Sequence, residues 1–314
     1  MTDQKRYTNK LEKSRILVIG GTSGLGYNVA EACLENGALV TISSSNPSRV
    51  DSTVSKLKDA YPSSADPSNP RVWGLTVDLG KQETLEEELK TLLEKTVGSM
   101  PEGKLDHVVY TAGDKLAEIG LADMVCFIFF HHAVLIFLSR IFAWTILRLF
   151  SFQILNLDGY ELTLFTLQTM QNILAAGQLR FFAPLLLAKH LPNYLVPSYK
   201  SSYVITTGAV SEKPIPNWSV IGSYAGGLHS MVRGLALDMK PIRVNGVSPG
   251  AVDTELWDHH GQEKKEAIMQ AMTSKMTTGR VGRPEDVAET FLGLLRDYNI
   301  DGSMIRTDGG GMLM

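Results

Sequence analysis

Apolar positions along this 314-residue chain fall into two alternating rhythms. Short runs rich in Val, Ile and Leu cover 15–19, 38–43, 71–77, 107–111, 203–207, 242–247 and 303–306. Their length and β-branched content suit strands buried on both faces. Between them, apolar residues recur at helical spacing over 24–36, ending at Gly37, and over 48–60, 83–96, 172–190, 220–239 and 284–296. Strands alternating with helices predict a parallel sheet covered on both faces, with right-handed crossovers and ligands beyond the carboxyl ends of the strands. Two stretches lack either rhythm. Residues 61–70, rich in Ser and Pro, read as a surface loop without chemistry, and 257–273 read as a loop that should cap the ligand but carries no readable code.

The first strand runs straight into Gly20-Gly21-Thr22-Ser23-Gly24-Leu25-Gly26 and then into a helical pattern through Ala30, Cys33 and Leu34. Glycines so spaced let the backbone turn tightly, approach a pyrophosphate closely and aim N–H groups at it from a helix N-terminus. A merely flexible loop would not follow a strand, open a helix and begin a repeating β/α pattern.

Composition narrows the reading. A hydrophobic content of 44% suits one large α/β domain, and a net charge of −3 gives no electrostatic basis for binding nucleic acid. Residues 1–14 are polar with mixed charge and do not resemble a secretory leader. Two cysteines, Cys33 and Cys126, cannot build a disulfide framework, and no Cys/His cluster has zinc-ligand spacing. The expectations are a reducing, cytoplasmic location, no metal and a small-molecule substrate.

Residues 125–155 break the rhythm, reading VCFIFFHHAVLIFLSRIFAWTILRLFSFQIL. Three readings compete. As a membrane span the stretch is divided by Arg140 and Arg148 and interrupted by His131-His132. As an amphipathic helix it would lie on a membrane surface and make the protein membrane-associated. As translated intron it is explained by the codons its residues permit: Val125-Cys126 can be written as a GTATGT donor, Leu162-Thr163 as a CTAAC branch point and Gln168 as a CAG acceptor. Removing 125–168 deletes 44 residues in frame and joins Met124 to Thr169, a normal loop into a normal helix. The codons that these residues permit favour this third reading.

Outside that segment the chain resembles the short-chain dehydrogenase/reductase family. Gly20, Gly24 and Gly26 match its first motif, with Ile19 where Thr is usual, and Asp78 matches the acid that holds the adenine amino group. Thr111-Ala112-Gly113 matches the Asn-Ala-Gly turn, with Thr in place of Asn. Arg243-Val244-Asn245, Ser248-Pro249-Gly250 and Thr254 match the segment over the nicotinamide, and Arg283-Pro284-Glu285-Asp286 with Asp308-Gly309-Gly310 completes the C-terminal signature. The resemblance implies a single doubly wound Rossmann-type α/β domain with a mostly parallel seven-stranded sheet, assembled as a dimer or tetramer. It assigns cofactor contacts to Gly20, Thr22, Ser23, Gly24, Leu25, Gly26, Asp78, Thr111, Ala112, Gly113, Pro249, Gly250, Val252 and Thr254, to which side-chain chemistry and position add Ser44, Ser45, Asn46, Arg49 and Arg180.

After the second strand, an acid would bond the ribose hydroxyls of NAD. Here Ser43-Ser44-Ser45-Asn46 and Arg49 stand instead, a set suited to a 2′-phosphate and so to NADP(H). Ser44 to Asn46 also suit a turn and a helix cap.

The catalytic region departs from the family. Anchored on Gly234 to Asp238 and Arg243-Val244-Asn245, the register puts Ile221 at the family's Tyr position and Ala225 at its Lys position. Tyr224 has Leu228, not Lys, four residues on. The Ser position falls near Thr207 or Gly208 and the Asn position on Gln178. A positioned acid contributes roughly a hundred- to ten-thousand-fold to carbonyl reduction, whereas hydride addition to an iminium requires no proton. Fungal secondary-metabolite members of the family look similar in lacking the Tyr/Lys pair, and some reduce an imine and guide a cyclisation. Thr207, Arg180, Tyr224 and Gln178 are therefore the expected substrate-orienting residues, with Arg180 reading equally as half of a surface or interface salt bridge. Asn217-Trp218 is placed at the substrate mouth or in packing, and His229, His259 and His260 are placed on the surface or in loops. The alternative is an NADP-binding protein without redox chemistry, acting as a cyclase or cofactor sensor.

Overall fold

The computed structural model describes residues 7–101, 103–114 and 170–314. The anomalous span 125–168 lies outside the described residues. Seven strands, β1 (Arg15–Ile19), β2 (Leu39–Ser44), β3 (Val72–Thr76), β4 (His107–Tyr110), β5 (Ser202–Thr206), β6 (Arg243–Pro249) and β7 (Met304–Thr307), form one sheet in the order β3-β2-β1-β4-β5-β6-β7. Every pairing is parallel. The order reverses between β1 and β4, which opens a crevice at their carboxyl ends.

Alternate strand residues feed opposite cores. Ile16 and Val18 of β1 join one cluster, with Val29, Cys33 and Leu34 of α1 (Gly24–Glu35) and Val287, Phe291 and Leu295 of α8 (Pro284–Arg296). Leu17 and Ile19 join the other, with Leu89 and Leu93 of α3 (Leu85–Ser99), Leu187 and Leu191 of α5 (Ala183–Tyr194), and Leu228 and Val232 of α6 (Ser219–Asp238). Both faces of the sheet are thus covered, and near-continuous apolar runs result. Asn46 caps α2 (Pro47–Ala60) by accepting from the Arg49 N–H at 3.0 Å.

Two expected elements differ. The helix expected over 172–190 is α4 (Met170–Gly177), a π-turn (Gln178–Phe182) and then α5, because Pro184 cannot supply an N–H to a regular helix. The loop expected over 257–273 is a 3₁₀ turn (Glu255–His260) followed by α7 (Gln262–Thr273). Residues 61–70 remain irregular apart from a short 3₁₀ turn, Pro62–Ser64. Among the described residues, no helix is long and apolar enough to cross a membrane.

Candidate cofactor and substrate cleft

The carboxyl ends of β1, β2, β4, β5 and β6 open onto one cleft of about 1060 Å³. At its narrow end the turn after β1 passes beneath the N-terminus of α1. A Cβ on Gly26 would collide with the Gly20 carbonyl and the Thr111 hydroxyl, so only glycine lets α1 sit this close to β4. The close backbone approach and the helix N-terminus fit a diphosphate. The Asp78 carboxylate, on the same wall, accepts from the Gly80 N–H at 3.0 Å.

Beyond the end of β2, Ser44, Ser45 and Arg49 line the cleft, and these polar groups suit a phosphate-bearing ribose. Asn46 does not line it. Its side-chain oxygen accepts from the Arg49 N–H and from the Ser48 hydroxyl, at 3.0 and 2.8 Å, which makes the expected helix cap. The other eighteen residues expected to contact cofactor all line the cleft.

Three threonines line the floor. The Thr111 hydroxyl donates to the Ile19 carbonyl at 2.9 Å, Thr206 to Tyr110 at 2.8 Å and Thr207 to Ala225 at 3.0 Å. A carbonyl cannot donate, so the proton in each bond is the threonine's own. Each hydroxyl is left with lone pairs and no proton to give.

Arg180 projects from the π-turn into the cleft. Its Nε–H donates to the Asp114 carboxylate at 3.3 Å and its Nη2 to the Asp114 carbonyl. A Cβ on Gly113 would lie 2.7 Å from the guanidinium, so glycine makes room for the charge. Burial lowers the Arg180 pKa from its ordinary value, and Asp114 opposes that shift.

The remaining expected catalytic residues are not brought to the cleft. Tyr224 donates its hydroxyl to the Ile173 carbonyl at 2.9 Å and packs its ring on Phe181 and Phe182, so its proton serves α4. Burial raises its pKa. Gln178 is buried and donates to the Leu79 carbonyl at 3.2 Å, facing a smaller 280 Å³ cavity beside Phe182 and Leu186. Ile221 and Ala225 are buried in α6, and neither lines the cleft.

The cap expected over 257–273 is present, but as a turn and a helix whose lining residues the sequence did not single out. Glu255, Leu256 and Trp257 line the cleft, as do His259 and His260 of the same turn and Lys264, Ile268 and Met272 of α7. The i, i+4, i+8 spacing of those last three is a helical stripe that could have been found. The Trp257 indole donates to the Val252 carbonyl at 3.0 Å, and Lys265 pairs with Asp253 and Asp258, both at 2.9 Å. Ile215 and Trp218 complete the apolar wall opposite. Among the described residues, no three His, Cys, Asp or Glu side chains cluster to hold a metal.

The family model for the SDR-like Rossmann domain matches residues 7–152 and 160–314. The short-chain dehydrogenase/reductase fsr5 of Gibberella fujikuroi is 36% identical over 315 residues, covering 100% of both chains. The short-chain dehydrogenase/reductase malC of Malbranchea aurantiaca is 34% identical over 313 residues, again covering 100% of both. Among solved structures, the MalC Reductase/Diels-Alderase of Malbranchea aurantiaca superposes with a TM-score of 0.76 at 33% identity, covering 98% of this chain and 100% of that one. An NADPH-bound short-chain oxidoreductase of Pseudomonas aeruginosa with an atypical catalytic center shares the fold at 19% identity, with a TM-score of 0.72 over 97% of this chain and 98% of that one.

Proposed function

The chain belongs to the short-chain dehydrogenase/reductase family, and from that premise we propose that it is an NADP(H)-dependent reductase of specialised metabolite biosynthesis acting on a C=N bond or an otherwise activated C=O bond. Its relatives are named short-chain dehydrogenase/reductases, so the chemistry is that of an oxidoreductase. Ser44, Ser45 and Arg49 support NADP(H) over NAD(H), since guanidinium and hydroxyls suit a 2′-phosphate and no acid stands there to repel one. When bound, the reduced nicotinamide supplies a hydride.

One observation carries the preference for C=N: the protons of Thr111, Thr206 and Thr207 are all committed to backbone carbonyls. A ketone becomes an alkoxide that needs a proton, whereas an iminium becomes a neutral amine that needs none. The threonine lone pairs suit a substrate N–H. Arg180 can orient a carbonyl or carboxylate through its guanidinium but does not surrender a proton. Ile215, Trp218, Trp257, Ile268 and Met272 suit an apolar or aromatic small molecule. The name of the Reductase/Diels-Alderase relative supports a second reading, in which the same cleft also guides a cyclisation.

The test is NADPH oxidation with a cyclic iminium and its matching ketone. The iminium should be consumed at least about a hundredfold faster. Equal rates would sink the C=N preference, and tight NADPH binding without turnover of either substrate would favour the non-redox reading.

A further inference from the structure

The turn that carries Arg180 into the cleft has a vacancy in its hydrogen-bond ladder. The Ala183 N–H bonds the Gln178 carbonyl, five residues back. The next donor in that series would meet the Leu179 carbonyl, but it belongs to Pro184, which has no N–H. Tyr110 fills the gap: its hydroxyl donates to the Leu179 carbonyl at 2.6 Å. Tyr110 is 2% exposed, at the end of β4, and burial pushes its pKa up, so the hydroxyl keeps its proton. The chain after Tyr110 meets the same arginine again, with Gly113 against the guanidinium and Asp114 paired to it. The end of β4 and the loop after it thus engage both the backbone beside Arg180 and its charged head.

We propose that Tyr110 is a positioning residue for Arg180, its hydroxyl holding the π-turn through the Leu179 carbonyl so that the guanidinium faces the cleft. Only the activity arm of the test rests on the reductase reading above. The structural arm is labelling of Arg180 by phenylglyoxal in the purified full chain, followed by peptide mass spectrometry. Tyr110→Phe should raise the labelling rate several-fold. Tyr203→Phe is the control, because that equally buried tyrosine bonds the Pro184 carbonyl at 3.0 Å, beyond the turn. It should cost stability and leave labelling unchanged. In the activity arm, Tyr110→Phe should lower kcat/KM for the iminium about tenfold with NADPH affinity within twofold of the parent, and should have no further effect in an Arg180→Ala background.

Unchanged labelling in Tyr110→Phe, or equal increases in both tyrosine variants, overturns the proposal. Increased labelling of Tyr110→Phe alone supports it even when no iminium is reduced, in which case the reductase reading is what fails. Should Tyr110→Phe not fold, Pro184→Ala restores the backbone donor that the Leu179 carbonyl lacks, so the Tyr110→Phe/Pro184→Ala double variant should fold and label at the parent's rate. A several-fold rise in labelling of the double variant overturns the proposal.

Discussion

Asn46 caps α2 one turn before Arg49, and that helix carries the Arg49 guanidinium to the cleft. A charge-assisted bond to phosphate contributes about 1.5–3 kcal/mol. Arg49→Ala should therefore weaken NADPH binding by roughly 10- to 100-fold and leave NADH nearly unchanged, as read by fluorescence titration. Ser44→Asp should move the preference toward NADH, because an acid there bonds ribose hydroxyls and repels the 2′-phosphate. Retained NADPH preference in both variants would remove Ser44 and Arg49 from cofactor choice. Most of the glycine loop and cofactor wall was legible in the sequence because backbone turns demand particular residues. Tyr224 was not, since hydrogen-bond partners such as the Ile173 carbonyl come from a tertiary neighbour and leave no local mark.

Arg243 shows how one side chain can terminate several elements. Its guanidinium donates to the carbonyls of Leu294 and Leu295 in the last turn of α8, and to those of Tyr199, Lys200 and Ile300 in flanking loops. The cation also complements the helix dipole. Arg243→Ala would leave these buried acceptors without a donor and should destabilise the fold by about 3–5 kcal/mol, measured by urea unfolding. A loss below about 1 kcal/mol would mean that water replaces the guanidinium. At this scale, strands were legible to within a few residues because burial on both faces writes unbroken apolar runs. The lid helix α7 was missed because none of its residues is fully buried, so its stripe is short and diluted by charge.

Across the whole molecule, stability should depend on pH through His107. This imidazole, on the first residue of β4, is buried, with its Nδ1 2.8 Å from the Ser202 hydroxyl, and burial lowers its pKa from 6.5 to about 4. Between those values the unfolded chain takes up a proton that the folded chain refuses. The contribution of neutral His107 is therefore complete above about pH 6.5 and is lost as pH falls toward 4. Tm measured from pH 7 to pH 4.5 should fall, and His107→Gln should flatten the slope; an unchanged slope would place the acid sensitivity elsewhere. The span 125–168 is proposed to be translated intron. Its cDNA should lack 132 bases, and the 270-residue chain should bind NADPH when expressed without the span. Ribosome-bound message that retains those codons would overturn the proposal.

The π-turn also bears on how this chain is compared with others. A helix face is counted in steps of about 100° per residue, and a π-turn holds one residue more than the count allows. Positions on either side of it therefore keep separate frames, and a register carried straight through from α5 arrives at Gln178 about one step out. Gln178 accordingly faces Leu79 and not the cleft. An alignment that inserts a single-residue gap between Gly177 and Ala183 would restore the phase, so a lineage that gains or loses one codon there can exchange the residue presented to the substrate without altering any other part of the helix.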